Sequence, residues 1–165
     1  TGLSHMISPP DLSGKVYVEI SKKYDQEKVL HCRRRRCPIY PRAANWLISF
    51  FSVVTVAEKS EHEWLEYETD QGAYCVTQMW GCGSVTLRRF EDRAAADRDG
   101  YRVIAPEDGT WRDCWTIEWR AYKRDDPSCP TLGDLKKVVG TMEGKTYNLV
   151  YNNCKNYCEE MWNVI

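Results

Sequence analysis

Three strand-like segments joined by very short turns constrain the fold of this chain more than any other feature. Each segment is rich in β-branched and aromatic residues, and Asp70-Gln71-Gly72 and Gly81-Cys82-Gly83 separate them. Connections of this length join antiparallel neighbours. The sequence therefore predicts an antiparallel meander over residues 61–69, 73–79 and 84–90.

Alternating or β-branched residues predict further strands, over residues 15–20, 53–56, 101–104 and 115–122. Residues 43–51 fit either a short buried helix or a strand. Residues 22–41 are charged and hold four consecutive arginines between Cys32 and Cys37, which predicts a loop. Residues 91–100 are polar and end in glycine, which predicts a surface loop or a short helix.

The last third of the chain has helical periodicity. Thr131 and Asp134 form a capping-box pattern before a helix that Gly140 or Gly144 ends. The C-terminal segment places apolar residues on one stripe, at Cys154, Tyr157, Cys158, Met161, Trp162 and Ile165. We predict an α+β fold in which an antiparallel β-sheet packs against a few helices. Residues 13–165 form one domain, preceded by a disordered or cloning-derived N-terminus at 1–12.

Composition excludes several functional classes. Among 165 residues, 23 basic and 24 acidic side chains give a net charge of −1, so no overall field attracts nucleic acid. The longest apolar tract, residues 46–57, is shorter than the roughly 20 residues of a membrane-spanning helix. We expect no nucleic-acid partner and no transmembrane segment, and the sequence does not indicate an oligomeric state.

Eight cysteines slightly favour a secreted protein over a cytoplasmic one. If the protein is oxidised, the pairs expected are Cys32–Cys37, Cys75–Cys82 and Cys114–Cys129, which leaves Cys154 and Cys158 as thiols. A zinc site built from His31, Cys32 and Cys37 lacks a second pair of ligands. We therefore expect no metal and no cofactor.

Cys154 is the first candidate for chemistry. A thiol in the first turn of a helix lies near backbone N–H groups that favour its thiolate, which is the nucleophilic form. The alternative is that Cys154 only begins the buried stripe, since a free cysteine also packs as a small apolar residue.

His62 is the candidate base for such a thiol. It opens a predicted strand, whereas His5 falls in the N-terminal extension and His31 in the charged stretch. A protonated imidazole facing Cys154 would stabilise the thiolate as an ion pair. The alternative is a surface histidine in an acidic strand.

The segment 147–158, which reads Tyr-Asn-Leu-Val-Tyr-Asn-Asn-Cys-Lys-Asn-Tyr-Cys, resembles the nucleophile motif of the circularly permuted papain-like thiol enzymes. These form the permuted branch of the NlpC/P60 superfamily, with the lecithin:retinol acyltransferase-like and PPPDE-like proteins. In that branch the histidine strand precedes the cysteine helix, and His62 before Cys154 has this order. The resemblance implies that Asn153 caps the helix, and that the Cys154 N–H belongs to an oxyanion hole. It also implies a third polar residue, for which Gln78 or Thr77 is favoured.

The function expected from this resemblance is cysteine-dependent hydrolysis of an amide or isopeptide bond, through an acyl-enzyme on Cys154. The expected partner is a protein or peptide substrate. Two alternatives stay open at this point. One is a lipid acyltransferase or phospholipase that uses the same pair of residues on a lipid ester. The other is a non-catalytic, disulfide-stabilised, effector-like interaction domain.

Overall fold

A computed structural model describes residues 14–38, 61–79, 84–99, 114–144 and 154–165. Its strands are β1 (Val16–Glu19), β2 (Val29–Pro38), β3 (Glu61–Thr69), β4 (Tyr74–Met79), β5 (Val85–Phe90) and β6 (Trp115–Ala121). Its α-helices are α1 (Arg93–Asp99), α2 (Leu132–Gly140) and α3 (Cys154–Val164), and a 3₁₀ turn covers Lys22–Tyr24.

The six described strands form one sheet in the order β1-β5-β4-β3-β2-β6. The predicted meander is confirmed, because β3, β4 and β5 are antiparallel neighbours, with Leu65 opposite Thr77 and Thr77 opposite Leu87. β2 and β6 extend the sheet on one side, also antiparallel. β1 pairs with β5 in parallel at the other edge. The α+β class expected from the sequence is therefore confirmed.

The loop predicted for residues 22–41 is wrong over β2. The four arginines lie inside this strand, where their charges face acidic side chains on the neighbouring strands. Arg33 contacts Glu68 at 2.8 Å and Arg34 contacts Glu63 at 2.8 Å. Such cross-strand pairs stabilise a sheet. The run looked like a loop because these partners are 29 to 35 residues away along the chain.

The sheet has two covered faces, which we call the α3 face and the α1 face. Helices α2 and α3 pack on the α3 face, over buried side chains that include Leu65, Tyr67, Leu87, Leu135 and Met161. The α1 face buries a second cluster, formed by Cys37, Trp64, Tyr74, Val76, Phe90 and Ala96 of α1. Along β3 even-numbered residues face α1 and odd-numbered residues face α3, as strand alternation requires.

Both predicted C-terminal helices are confirmed. The Thr131 side chain accepts a hydrogen bond from the Asp134 N–H, and the Asp134 carboxylate accepts one from the Thr131 N–H, so α2 begins with a complete capping box. α3 buries Cys154, Tyr157, Cys158 and Met161 along one stripe. Within the described residues, no helix is both long and apolar enough to cross a membrane.

Other predicted elements have mixed outcomes. Residues 15–20 contain β1, residues 115–122 contain β6, and the short polar helix expected within 91–100 is α1. The predictions for residues 1–12, 43–51, 53–56 and 101–104 lie outside the described residues.

Two of the predicted disulfides, Cys32–Cys37 and Cys114–Cys129, do not occur in this structure, which shows no disulfide among the seven described cysteines. Cys32 lies on the α3 face and Cys37 on the α1 face, so the strand itself separates this pair. Cys114 and Cys129 are not joined by a disulfide, and the Cys129 thiol contacts the carbonyl oxygen of Val29. Cys75 is free as well, and its expected partner, Cys82, lies outside the described residues.

Candidate active site

The site lies at one end of the sheet, where α3 begins against β3 and β4. β2 stays paired with β3 as far as Pro38 opposite Glu61. The ladder between β3 and β4, in contrast, runs only from Leu65 opposite Thr77 to Glu68 opposite Tyr74. The start of β3 thus lies outside the ladder with β4. A side chain from the first turn of α3, that of Cys154, contacts β3 there, at His62 and Glu63.

Cys154 is the first residue of α3 and is buried, with 7% of its surface exposed. Burial raises the pKa of its thiol, but the hydrogen bond and the charge of His62 outweigh burial, so the pKa lies below its ordinary value. The Glu63 backbone N–H also donates to the sulfur and lowers the pKa further, whereas the Glu63 carboxylate raises it. The environment therefore favours the thiolate.

His62 is equally buried, at 6% exposure, and lies at the start of β3. Burial lowers the pKa of its imidazole, but the hydrogen bond and charge of Cys154, the hydrogen bond to Gln78 and the Glu63 carboxylate raise it above its ordinary value. The two pKa values move in opposite directions, and both movements favour a thiolate beside an imidazolium.

Gln78 fixes the orientation of this imidazole. His62 Nε2 lies 2.9 Å from Gln78 Oε1, and since an amide oxygen can only accept, Nε2 carries the proton of this bond. That contact leaves Nδ1 as the ring nitrogen available to Cys154. The indole of Trp64 stacks on the imidazole with centroids 5.7 Å apart and holds the plane of the ring.

Thr77, the other candidate for the third polar residue, lies on the opposite face of β4. Its hydroxyl is 2.5 Å from the Tyr157 hydroxyl and donates to the Thr86 carbonyl oxygen at 2.8 Å. The structure thus brings Gln78, but not Thr77, to His62. Asn153 lies outside the described residues, so its capping role stays a prediction, as does the role of the Cys154 N–H in an oxyanion hole.

Two carboxylates of the acidic strand that holds His62 surround this pair, and the sequence did not predict the contacts that they make. On the α1 face, the buried Glu66 carboxylate accepts hydrogen bonds from Trp64 Nε1, at 2.8 Å, and from the Tyr74 hydroxyl. On the α3 face, the buried Glu63 carboxylate pairs with Arg34 and Arg36. Strand alternation from His62 could have placed Trp64 and Glu66 on its own face, but the arginine partners depend on a register that the sequence does not display.

The zinc ligands considered from the sequence do not converge. Cys32 faces α3 and Cys37 faces α1, while His31 lies near Glu68 at 3.3 Å and stacks on Trp119. His31 and Cys37 are six positions apart, which corresponds to about 20 Å along the strand. Among the described residues, no group of three histidine, cysteine or acidic side chains is placed to hold a metal ion.

The chemistry that this geometry supports is nucleophilic attack by sulfur. A thiolate, an adjacent imidazolium and an amide that orients the imidazolium are the parts of an activated thiol nucleophile. The helix N-terminus at Cys154 adds a partial positive charge to the same place. No protein-family model, no curated protein and no solved structure matches this chain.

Proposed function

We propose that this protein is a cysteine-dependent hydrolase that cleaves an amide or isopeptide bond in a protein or peptide. The observation that carries the proposal is the hydrogen-bonded pair of Cys154 and His62, buried together, in which the pKa of the thiol is lowered and that of the imidazole raised. A cysteine that only filled the core would have no need of a charged partner, and burial alone would raise its pKa.

The reaction follows from the two charges. The Cys154 thiolate attacks the carbonyl carbon, and the imidazolium of His62 gives its proton to the departing amine nitrogen as the C–N bond breaks. The product is a thioester on Cys154. His62, now neutral, takes a proton from water, whose oxygen attacks the thioester and releases the acid and the Cys154 thiolate.

The other functions considered have less support. A lipid ester would use the same steps with an alcohol as the leaving group, and no contact of the described residues favours it. The non-catalytic alternative depended on disulfides, and the seven described cysteines are free thiols.

Selective alkylation tests the proposal. The native protein is treated with iodoacetamide from pH 5 to pH 9, and each labelled cysteine is quantified by mass spectrometry. Cys114, the one described cysteine that is partly exposed, serves as the reference thiol in the same molecule. We expect Cys154 to be labelled faster than Cys114 below pH 7, since its thiolate persists at lower pH.

Variants then identify which residue causes the labelling of Cys154 at low pH. His62→Ala removes the imidazolium, so labelling of Cys154 should shift to higher pH. His31 lies on β2 opposite Glu68, at the other end of β3 from His62. His31→Ala should therefore leave the pH profile of Cys154 labelling unchanged. Incubation with activated aryl esters or peptide anilides should leave an acyl group on Cys154 as a thioester. Cys154→Ser cannot form this thioester and is the control. Labelling of Cys154 that is no faster than that of Cys114 and indifferent to His62 would contradict the proposal.

A further inference from the structure

A fully buried carboxylate lies beside the Cys154–His62 pair. Glu63 follows His62 on β3, and its side chain is 0% exposed on the α3 face, under the start of α3. Its negative charge raises the pKa of Cys154 and also that of His62, so it acts on both members of the pair. Left uncompensated, this charge would oppose formation of the thiolate, since like charges repel.

Two arginines of β2 converge on this carboxylate. Arg36 lies directly opposite Glu63 in the ladder, and Arg34 lies two residues further along on the same face. Arg34 Nε donates to Glu63 Oε2 at 2.8 Å, and Arg36 Nε donates to Oε1 at 2.9 Å. Arg36 Nη2 makes a second contact with Oε1. Each carboxylate oxygen therefore faces a guanidinium, and the trio carries a net charge of +1.

Two further titratable groups lie close to the trio among the described residues. Arg34 Nη1 also contacts Glu118 of β6 at 3.2 Å, but the Glu118 side chain is 42% exposed, so solvent screens it. From α3, Cys158 lies within electrostatic reach of Arg34 and Cys154, and its pKa is raised well above the ordinary value by burial, which keeps it neutral. Among the described residues beside the sulfur, charge therefore comes from His62 on one face and from the arginine–glutamate trio on the other.

The trio also has a geometric effect. The Glu63 N–H donates to the Cys154 sulfur, while the Glu63 side chain is held by Arg34 and Arg36. A residue fixed at its carboxylate by two guanidiniums has little freedom to turn its backbone. The same contacts that cancel the charge therefore also keep this N–H directed at the sulfur.

We propose that Arg34 and Arg36 are positioning residues for the nucleophile: they neutralise Glu63 and hold its backbone N–H against Cys154. This inference rests on the proposed hydrolase function and extends it to the residues that regulate the same site. Packing alone does not explain the trio, because apolar residues of similar volume are often at least as stabilising as a buried ion group.

The experiment compares the pH at which Cys154 labelling by iodoacetamide is half-maximal in four variants and the native protein. Arg36→Gln removes one positive charge and changes the net charge of the trio from +1 to 0, so the midpoint should rise by about one pH unit, at the lower end of what a neighbouring charge produces. Glu63→Gln leaves the arginines without their carboxylate, so the midpoint should fall. Arg36→Lys keeps the charge and should lie closer to the native protein than Arg36→Gln does.

Arg33→Gln is the matched control. Arg33 belongs to the same run but faces α1 and pairs with Glu68, so the midpoint should not move. If Arg36→Gln does not fold by circular dichroism, the double variant Arg36→Gln/Glu63→Gln replaces it, and its midpoint should return toward the native value because both charges are gone.

The outcomes separate this inference from the proposed function. If Cys154 labelling depends on His62 but Arg36→Gln and Glu63→Gln do not move the midpoint in opposite directions, the trio is only structural and the inference is wrong, while the nucleophile stands. If Cys154 in the native protein behaves as an ordinary thiol, the proposed function fails and this inference fails with it. Opposite movements, with no movement in Arg33→Gln, support the inference.

Discussion

Gln78 is joined to His62 by one hydrogen bond, so its contribution can be measured by itself. Gln78→Leu removes the acceptor at Nε2 and frees the imidazole to rotate away from Cys154. We expect alkylation of Cys154 at pH 6 to slow by roughly 2- to 10-fold, which corresponds to one hydrogen bond. The measurement is the rate of iodoacetamide labelling under conditions in which the variant is folded.

Thr77→Val is the control for that variant, because Thr77 is the neighbouring residue on the opposite face of β4. It loses hydrogen bonds to Tyr157 and Thr86, so the free energy of unfolding should fall while the labelling rate stays native. The reverse pattern, with Thr77→Val slowing Cys154 and Gln78→Leu leaving it unchanged, would contradict our assignment of the third polar residue.

Trp64 is expected to matter for stability as well as for the plane of the imidazole. Trp64→Phe keeps a ring beside His62 but removes the Nε1 donor to the buried Glu66 carboxylate. Loss of one partner of a buried polar group costs about 1–3 kcal/mol, which urea unfolding followed by circular dichroism would detect. A variant as stable as the native protein would show that Glu66 finds another donor.

The residues of the pair were predictable from local sequence, whereas their surroundings were not. Cys154 stood out because it begins the clearest helical stripe, and His62 because it opens a strand. Gln78 was one of two candidates. Strand alternation could not choose between Gln78 and Thr77, because the sequence does not show which face of β4 lies on the side of His62. The contacts between Glu63 and its arginines could not be predicted, because the pairing of Arg36 with Glu63 is a long-range register.

At the scale of elements, α2 offers a test of the capping box. Thr131→Ala removes the acceptor for the Asp134 N–H and should lower the free energy of unfolding by about 1 kcal/mol. Urea denaturation of the two proteins at pH 7 measures this difference. No loss of stability would mean that packing of Leu132 and Leu135 alone holds the start of the helix.

The other half of this box predicts a dependence on pH. Hydrogen bonding from the Thr131 N–H lowers the pKa of Asp134 in the folded state. A carboxyl with a lowered folded pKa adds stability above its unfolded pKa, about 3.9 for aspartate, and loses it as the pH falls through the folded value. The stability difference between the native protein and Asp134→Asn should therefore be present at pH 7 and disappear near pH 2.

β2 shows why charge alone is a poor guide to secondary structure. Arg33 to Arg36 look like a solvated loop, because charged runs in isolation repel each other. In the sheet, alternation sends Arg34 and Arg36 to one face and Arg33 and Arg35 to the other, so neighbours in sequence are separated in space. β3 supplies Glu63 on the first face and Glu66 and Glu68 on the second.

For the whole molecule, the fold class followed from the sequence but the order of strands did not. Short turns fix the meander from β3 to β5, and helical stripes fix α2 and α3. The parallel pairing of β1 with β5 joins segments nearly 70 residues apart, with Val16 opposite Val85. No turn pattern in the sequence predicts this pairing. The place of β2 between β3 and β6 was missed for the same reason.

Thiol counting tests the structure as a whole. The structure shows no disulfide among the seven described cysteines. When the protein is unfolded in guanidinium without a reductant, we expect iodoacetamide to modify all eight cysteines. Intact-mass spectrometry measures the number, with a reduced sample for comparison. Six or fewer modified cysteines would reveal a disulfide and contradict the thiol state of the cysteines in this structure.

The arginine run has a consequence for how the chain finds its structure. Four identical residues look the same after a shift of one position, so the arginine run contains little information about its own alignment. That information lies in β3, where the acidic side chains change face between Glu63 and Glu66, and in Cys32 and Cys37, each buried on its own side. A slip by one residue would turn every arginine to the wrong face. A refolding chain must therefore test and discard misaligned hairpins, a search that a strand of varied residues would largely avoid.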